Sequence, residues 1–164
     1  MNKTILYPGT FDPITNGPID LIKKALKIAN KVVVAISANG YKNYLFDPNE
    51  RLLLVKQSLY KDLKIKQSKV DVVVFNSLTT DLCKKMKSKI ILRGLRAVSD
   101  FDYEFQLAGM NRKLDSSIET IFLMSDFENQ VISSRFVKEI IEFGGDVKKF
   151  TTKSVVKALK NKYA

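Results

Sequence analysis

Residues 3–37 read KTILYPGTFDPITNGPIDLIKKALKIANKVVVAIS, and three patterns follow one another in them. Lys3–Tyr7 is a short apolar run, halted by Pro8 and Gly9. Ile22, Ala25, Leu26 and Ala29 then recur at helical spacing and form one apolar stripe. Lys31–Ser37 is a second apolar run, rich in Val. Neither run alternates polar with apolar residues, as a strand wetted on one face would; both suit strands buried on two faces of a parallel sheet. Strand, helix, strand in this order is a βαβ unit, whose crossover is right-handed.

The same alternation continues outward. Val70–Phe75, Lys89–Arg93 and Glu119–Met124 read as three further buried strands. Asp47-Pro48-Asn49-Glu50 starts a helix, with Asp at the N-cap, Pro at N1 and Glu at N3. Another helix follows Thr79, and a longer one follows Ser99, with Phe101, Phe105, Ala108 and Met110 as its apolar bulk. A helix after Ser133 is expected to bury Phe136, Val137, Ile140 and Ile141 and to stop at Gly144-Gly145. The expectation is an α/β fold: a doubly wound, Rossmann-like five-stranded parallel sheet with helices on both faces. No repeat or linker divides residues 1–164, so one domain is expected.

Composition narrows the setting. Hydrophobic residues make up 45% and charged residues 27% of the 164, a globular balance. The opening residues lack a secretory pattern, and no apolar run is long enough to cross a bilayer. The single cysteine, Cys83, suits a reducing compartment, so a cytoplasmic location is expected. Net charge is +11, and Lys148–Ala164 carries six lysines and no acid. Val155, Val156, Leu159 and Tyr163 give that tail an apolar helical face, so its lysines read as a solvated side. Neither a nucleic-acid nor a membrane partner is expected.

Ligands of such sheets bind beyond the carboxyl ends of the strands. The loop from Tyr7 to Pro18 is a turn stiffened by Gly and Pro that feeds a helix N-terminus. It is either a plain strand-to-helix turn or a phosphate cradle. Arg93 and Arg96 flank Gly94 directly after a buried strand, where forked guanidinium groups suit phosphate. Ser133 and Ser134 open a helix, either as caps or as donors to a phosphate.

Tyr7–Gly17, Leu92–Glu104, Asn111-Arg112, Ile132-Ser133-Ser134, Val137-Lys138-Glu139 and Gly145-Asp146-Val147 together resemble the bacterial phosphopantetheine adenylyltransferases, in order and spacing. The resemblance implies adenylyl transfer from ATP to 4′-phosphopantetheine, giving dephospho-coenzyme A and pyrophosphate, with Mg2+. It implies that Thr10 bridges both substrates, that Phe11 lies against the nucleotide, and that Lys42 contacts phosphates. Arg93 would hold the pantetheine phosphate, and Thr79 would sit against the pantetheine arm. Gly94, Leu95, Arg96, Glu104 and the stretch Asn129, Gln130, Val131, Ile132, Ser133, Ser134 and Arg135 would form the ATP pocket. Coenzyme A as a feedback ligand and a homohexamer are implied in the same way.

The departure from the family that matters most is at one position, with smaller differences at Asn129 and Gln130, where an aromatic residue and a serine are expected. The family's T-x-G-H motif ends in a histidine that stabilises the transition state and contacts ATP; here Thr15-Asn16-Gly17 runs into Pro18, and the chain has no histidine. A first-turn proline leaves the helix intact, but it removes the imidazole and a backbone N–H together. Impaired catalysis is therefore expected. Two alternatives stand: a silent homologue that binds ATP or coenzyme A, and a sister nucleotidyltransferase with another phosphate acceptor.

Overall fold

The computed structural model describes residues 3–39 and 43–164. Five strands, β1 (Thr4–Gly9), β2 (Lys31–Ser37), β3 (Val70–Phe75), β4 (Ile90–Leu95) and β5 (Glu119–Met124), form one all-parallel sheet. Their order is β3-β2-β1-β4-β5. The chain builds outward from β1 to one edge, then returns to β1's other side for β4. That reversal places the switch point between β1 and β4, where the carboxyl edge of a doubly wound sheet opens a crevice.

The helices are α1 (Asn16–Ile28), α2 (Pro48–Lys56), α3 (Thr79–Lys85), α4 (Val98–Leu114), α5 (Phe127–Gln130), α6 (Ser134–Glu142) and α7 (Lys153–Lys162). A π-helical segment, Gln57–Asp62, continues α2. Buried side chains divide into two clusters, one on each face of the sheet. The larger joins Ile5, Ile22, Val34, Leu59 and Leu159; the smaller joins Leu6, Val33, Leu82, Cys83 and Ile91. Alternate residues of β1 and β2 thus serve opposite layers, which is why neither strand alternates in polarity. Burial, with Asp115 beside it, pushes the Cys83 thiol up to about 11, so it stays protonated.

The α2 start forms as its sequence dictates. Asp47 accepts from the Asn49 and Glu50 N–H groups, and the Glu50 side chain accepts from the Asp47 N–H, closing a capping box. The tail folds as α7, burying Val155, Val156 and Leu159 while Lys153, Lys157 and Lys160 stay exposed.

Some boundaries and faces differ from expectation. β1 continues through Pro8 and Gly9, and β4 through Gly94 and Leu95. Pro8 is tolerated because β1 pairs with β4 only at Ile5 and Leu6, so the missing N–H falls where the strands part. α4 begins at Val98, one residue before Ser99. Phe136 is exposed, not buried, because α6 turns only Val137 and Ile141 fully inward. Phe101, Phe105 and Met110 of α4 are exposed as well.

Candidate active site

The parting of β1 and β4 leaves a cleft of about 760 Å³, walled by the loop after β1, the end of β4, the first turn of α1 and the start of α6. Its size suits a nucleotide-sized ligand. Two glycines let the walls close up. A Cβ on Gly9 would stand 2.8 Å from the Phe11 ring, and one on Gly94 would collide with the Leu21 side chain. Phe11 takes a positive φ of 52°, which swings its ring back over Gly9 and edge-on to Tyr7 at 5.4 Å between centroids. The ring is 6% exposed, so Phe11 is mostly a core side chain that touches the cleft.

Arg93 leaves the end of β4 and is held from two sides. Its Nε and Nη2 donate to the two Glu104 oxygens, both at 2.6 Å, and Nη1 donates to the Pro8 carbonyl at 3.0 Å. This fork joins α4, β4 and β1 across the switch point and leaves further guanidinium hydrogens free for an anion. Burial works against the Arg93 charge, and Glu104 more than offsets it, so the group titrates above its ordinary value. Burial likewise raises Tyr7, against the opposing pull of Arg93 and Arg96. Arg96 is exposed, with Nε 3.2 Å from Asp100 in the first turn of α4.

On the opposite wall, Asp12 is 3% exposed and fully engaged. It accepts from the Leu45 and Phe46 N–H groups and from Lys138 Nζ at 2.9 Å. Ser133 caps α6 by accepting from the Phe136 N–H, which leaves its own hydrogen available. Ser134 spends its hydrogen on the Pro13 carbonyl at 2.7 Å. The two hydroxyls thus differ: both support structure, and only Ser133 keeps a hydrogen for a phosphate. At the start of α1, Asn16 N–H donates to Phe150 O and Ile19 N–H to Thr15 O. Pro18 between them has no N–H, so this helix end offers an anion fewer donors than an ordinary first turn.

Of the residues singled out from sequence, Thr10, Phe11, Pro18, Thr79, Arg93, Gly94, Leu95, Arg96, Glu104, Ile132, Ser133, Ser134 and Arg135 come together on the cleft wall. Asn129, Gln130 and Val131 do not line it. The short α5 turns them aside: the Asn129 carbonyl faces Gly17, Gln130 Nε2 donates to the Ser125 carbonyl, and Val131 is exposed. Lys42 lies outside the described residues. Sequence reading missed Asp12, Lys138 and Arg51. Arg51 carried a legible signal, because it falls in register with the buried Leu54, Val55 and Leu59 on one helical face.

Known proteins place this cleft in a family. Residues 6–140 match the cytidylyltransferase-like family model. A phosphopantetheine adenylyltransferase of Pelagibacter ubique is 67% identical over 99% of both chains. One of Acidiphilium cryptum is 49% identical over 90% of this chain and 88% of its own. Among solved structures, a putative nicotinate-nucleotide adenylyltransferase of Vibrio parahaemolyticus superposes with a TM-score of 0.74 at 19% identity, over 98% of this chain and all of its own. At that identity the likeness speaks for the fold, and the identity to the first two relatives, over nearly the whole sequence, decides the rest. This chain belongs to the phosphopantetheine adenylyltransferase family of cytidylyltransferase-like nucleotidyltransferases.

Proposed function

We propose that the cleft between β1 and β4 transfers the adenylyl group of ATP to 4′-phosphopantetheine, giving dephospho-coenzyme A and pyrophosphate in coenzyme A biosynthesis. The observation that carries this is the near full-length identity to phosphopantetheine adenylyltransferases. The cleft's basic wall of Arg93, Arg96, Arg135 and Lys138 supports it. A phosphate oxygen of phosphopantetheine attacks the α-phosphorus of ATP, the bond to the β-phosphate oxygen breaks, and pyrophosphate leaves. The attacking phosphate has a second pKa near ~6, so it arrives ionised and needs no general base. What remains for the protein is in-line placement and neutralisation of charge.

In this reading Thr10 bridges the substrates, Arg93 offers its unengaged hydrogens to the pantetheine phosphate, and Thr79 borders the pantetheine arm. Gly94, Leu95, Arg96 and Ser133 border the nucleotide. Glu104 acts through Arg93, because its carboxylate is committed to that guanidinium. The lining carboxylates Asp12 and Glu104 are both ion-paired, which does not fit a protein-held metal. Mg2+ therefore enters on the triphosphate, as part of the substrate. Self-association is supported by Tyr103, Phe105, Met110 and Leu114, which α4 leaves exposed. A cytoplasmic site of action accords with the absence of any described helix long and apolar enough to cross a membrane.

Pro18 supports a second reading, in which the chain binds these ligands without turnover. Pyrophosphate release, measured with 4′-phosphopantetheine and with nicotinic acid mononucleotide as acceptors, separates the possibilities. Release with phosphopantetheine alone is the expected result. Calorimetric binding of phosphopantetheine without release would favour the silent homologue, and no binding at millimolar concentration would sink the assignment.

A further inference from the structure

Arg51 is the bulkiest of the fully buried side chains, with 0% exposure, and it sits beneath the cleft floor. Nη1 donates to the Thr10 carbonyl at 2.8 Å and to the Ser37 carbonyl at 3.0 Å, and Nε donates to the Phe46 carbonyl at 3.1 Å. The guanidinium carbon lies 4.4 Å from the centre of the Tyr44 ring. No carboxylate pairs with it, and Nη2 has no hydrogen-bond partner, among the described residues. A buried charge with no ionic partner costs stability, and an apolar side chain of the same volume would be cheaper there. Packing alone does not account for this residue.

Its contacts do. The three carbonyls belong to three separate pieces of the cleft floor: the loop after β1, the end of β2 and the approach to α2. The segment at Phe46 is held a second time, because Asp12 accepts the Leu45 and Phe46 N–H groups. One cation thus gathers the carbonyls while one anion gathers the amides, and Thr10 stands where the loop after β1 is tied down. We infer that Arg51 is a positioning residue that fixes Thr10 for the incoming phosphates by holding its carbonyl to those of Ser37 and Phe46. The inference rests on the functional reading above. It makes Arg51 act through Thr10 rather than by touching substrate, since the side chain is closed off from the cleft.

The test is a double-mutant cycle read as calorimetric affinity for 4′-phosphopantetheine, using the full chain, Thr10→Ala, Arg51→Met and the double variant. Arg51→Met is expected to weaken binding about tenfold in the parent and less than about threefold in the Thr10→Ala background, the non-additivity of residues acting through one contact. A merely structural role would lower the melting temperature and weaken binding by the same factor in both backgrounds, which would overturn the inference. If Arg51→Met does not fold, Arg51→Lys enters the same cycle. It keeps the charge but loses the planar fork, and a smaller loss with the same non-additivity is expected; equal factors again overturn the inference. A parent that binds no phosphopantetheine overturns the functional reading with it, whereas a binding parent with an additive cycle overturns the inference alone.

Discussion

Two arginines brace this cleft, one on each side of the switch point, and they are neutralised in opposite ways. Arg93 at the end of β4 shares both edges of a carboxylate with Glu104. Arg51 under the loop after β1 has, among the described residues, the carbonyls of Thr10, Ser37 and Phe46 and the face of the Tyr44 ring, with no carboxylate. Arg93 keeps 22% of its side chain exposed and borders the cleft, while Arg51 is sealed beneath it. A guanidinium that must meet a ligand is held by a charge partner that fixes its plane and leaves hydrogens free. A guanidinium that must hold backbone needs none, because carbonyl oxygens are themselves the groups to be placed. The β4 side is thus built to receive an anion, and the β1 side to keep its loop still.

The sharpest use of this contrast concerns what neither arginine supplies. If both serve placement and ground-state charge, neither arginine replaces the donor missing at Pro18. Pro18→His is then expected to raise turnover by about 10²–10³, the usual worth of one transition-state donor. Affinity for phosphopantetheine should hardly change, since the added donor would meet charge that develops only in the transition state. Steady-state pyrophosphate release from the two proteins, side by side at saturating Mg2+ and ATP, decides it. A fast parent that gains nothing would show that the basic wall already performs the histidine's work.

Removing Arg93 should break the β4 side in a way that also reveals its partner. Arg93→Met leaves the Glu104 carboxylate, 8% exposed, without its cation. The expected loss of stability is about 2–3 kcal/mol, below the full range for a sealed pair because Arg93 is partly solvated. Adding Glu104→Gln should return the protein to within about 1 kcal/mol of the parent, because the stranded charge is gone. Phosphopantetheine affinity should fall more than ATP affinity in both variants. Urea midpoints and calorimetry read the two effects separately, and a double variant no more stable than the single would contradict the pairing.

The smallest effect lies at Asp62, an anion held chiefly by a peptide group, as Arg51 is a cation held by peptides. Burial pushes its carboxyl up, but the Ser154 backbone N–H, 2.8 Å from it, and the nearby hydroxyls bring it below 3.8. A depressed folded-state value means that the stabilisation is complete above the unfolded-state value and fades as pH falls through the folded one. Asp62→Asn should therefore cost under about 1 kcal/mol at neutral pH, in the range of a helix cap. The gap between the melting curves of parent and variant should close as pH drops below 3.8. A gap independent of pH would remove the carboxylate from the account.

Reading the sequence alone located five strands, the helices between them and the loops that wall the cleft, because those signals act within a turn or two of chain. Apolar runs without alternation, the capping box at Asp47–Glu50 and the helix stop at Gly144-Gly145 all state their structure locally, whereas Pro8-Gly9 did not end β1. Within the site, Arg93, Arg96 and the loop after β1 were legible for the same reason: charge and turn residues stand at strand ends. The family followed from blocks of sequence matched in register.

Tertiary structure alone decided which groups meet. Arg51 reaches Thr10 across 41 residues, and Lys138 reaches Asp12 across 126, because α2 and α6 both come to lie beside the loop after β1. Glu104 reaches the cleft wall as expected, and its carboxylate pairs with Arg93 there, since α4 runs beside β4 and brings the carboxylate to the guanidinium. Phe136 faces solvent, and Asn129, Gln130 and Val131 leave the cleft wall, because helix rotation is set by the neighbours a helix packs on. Periodicity fixes that an element forms and which residues share a face; strand order and packing fix what that face touches.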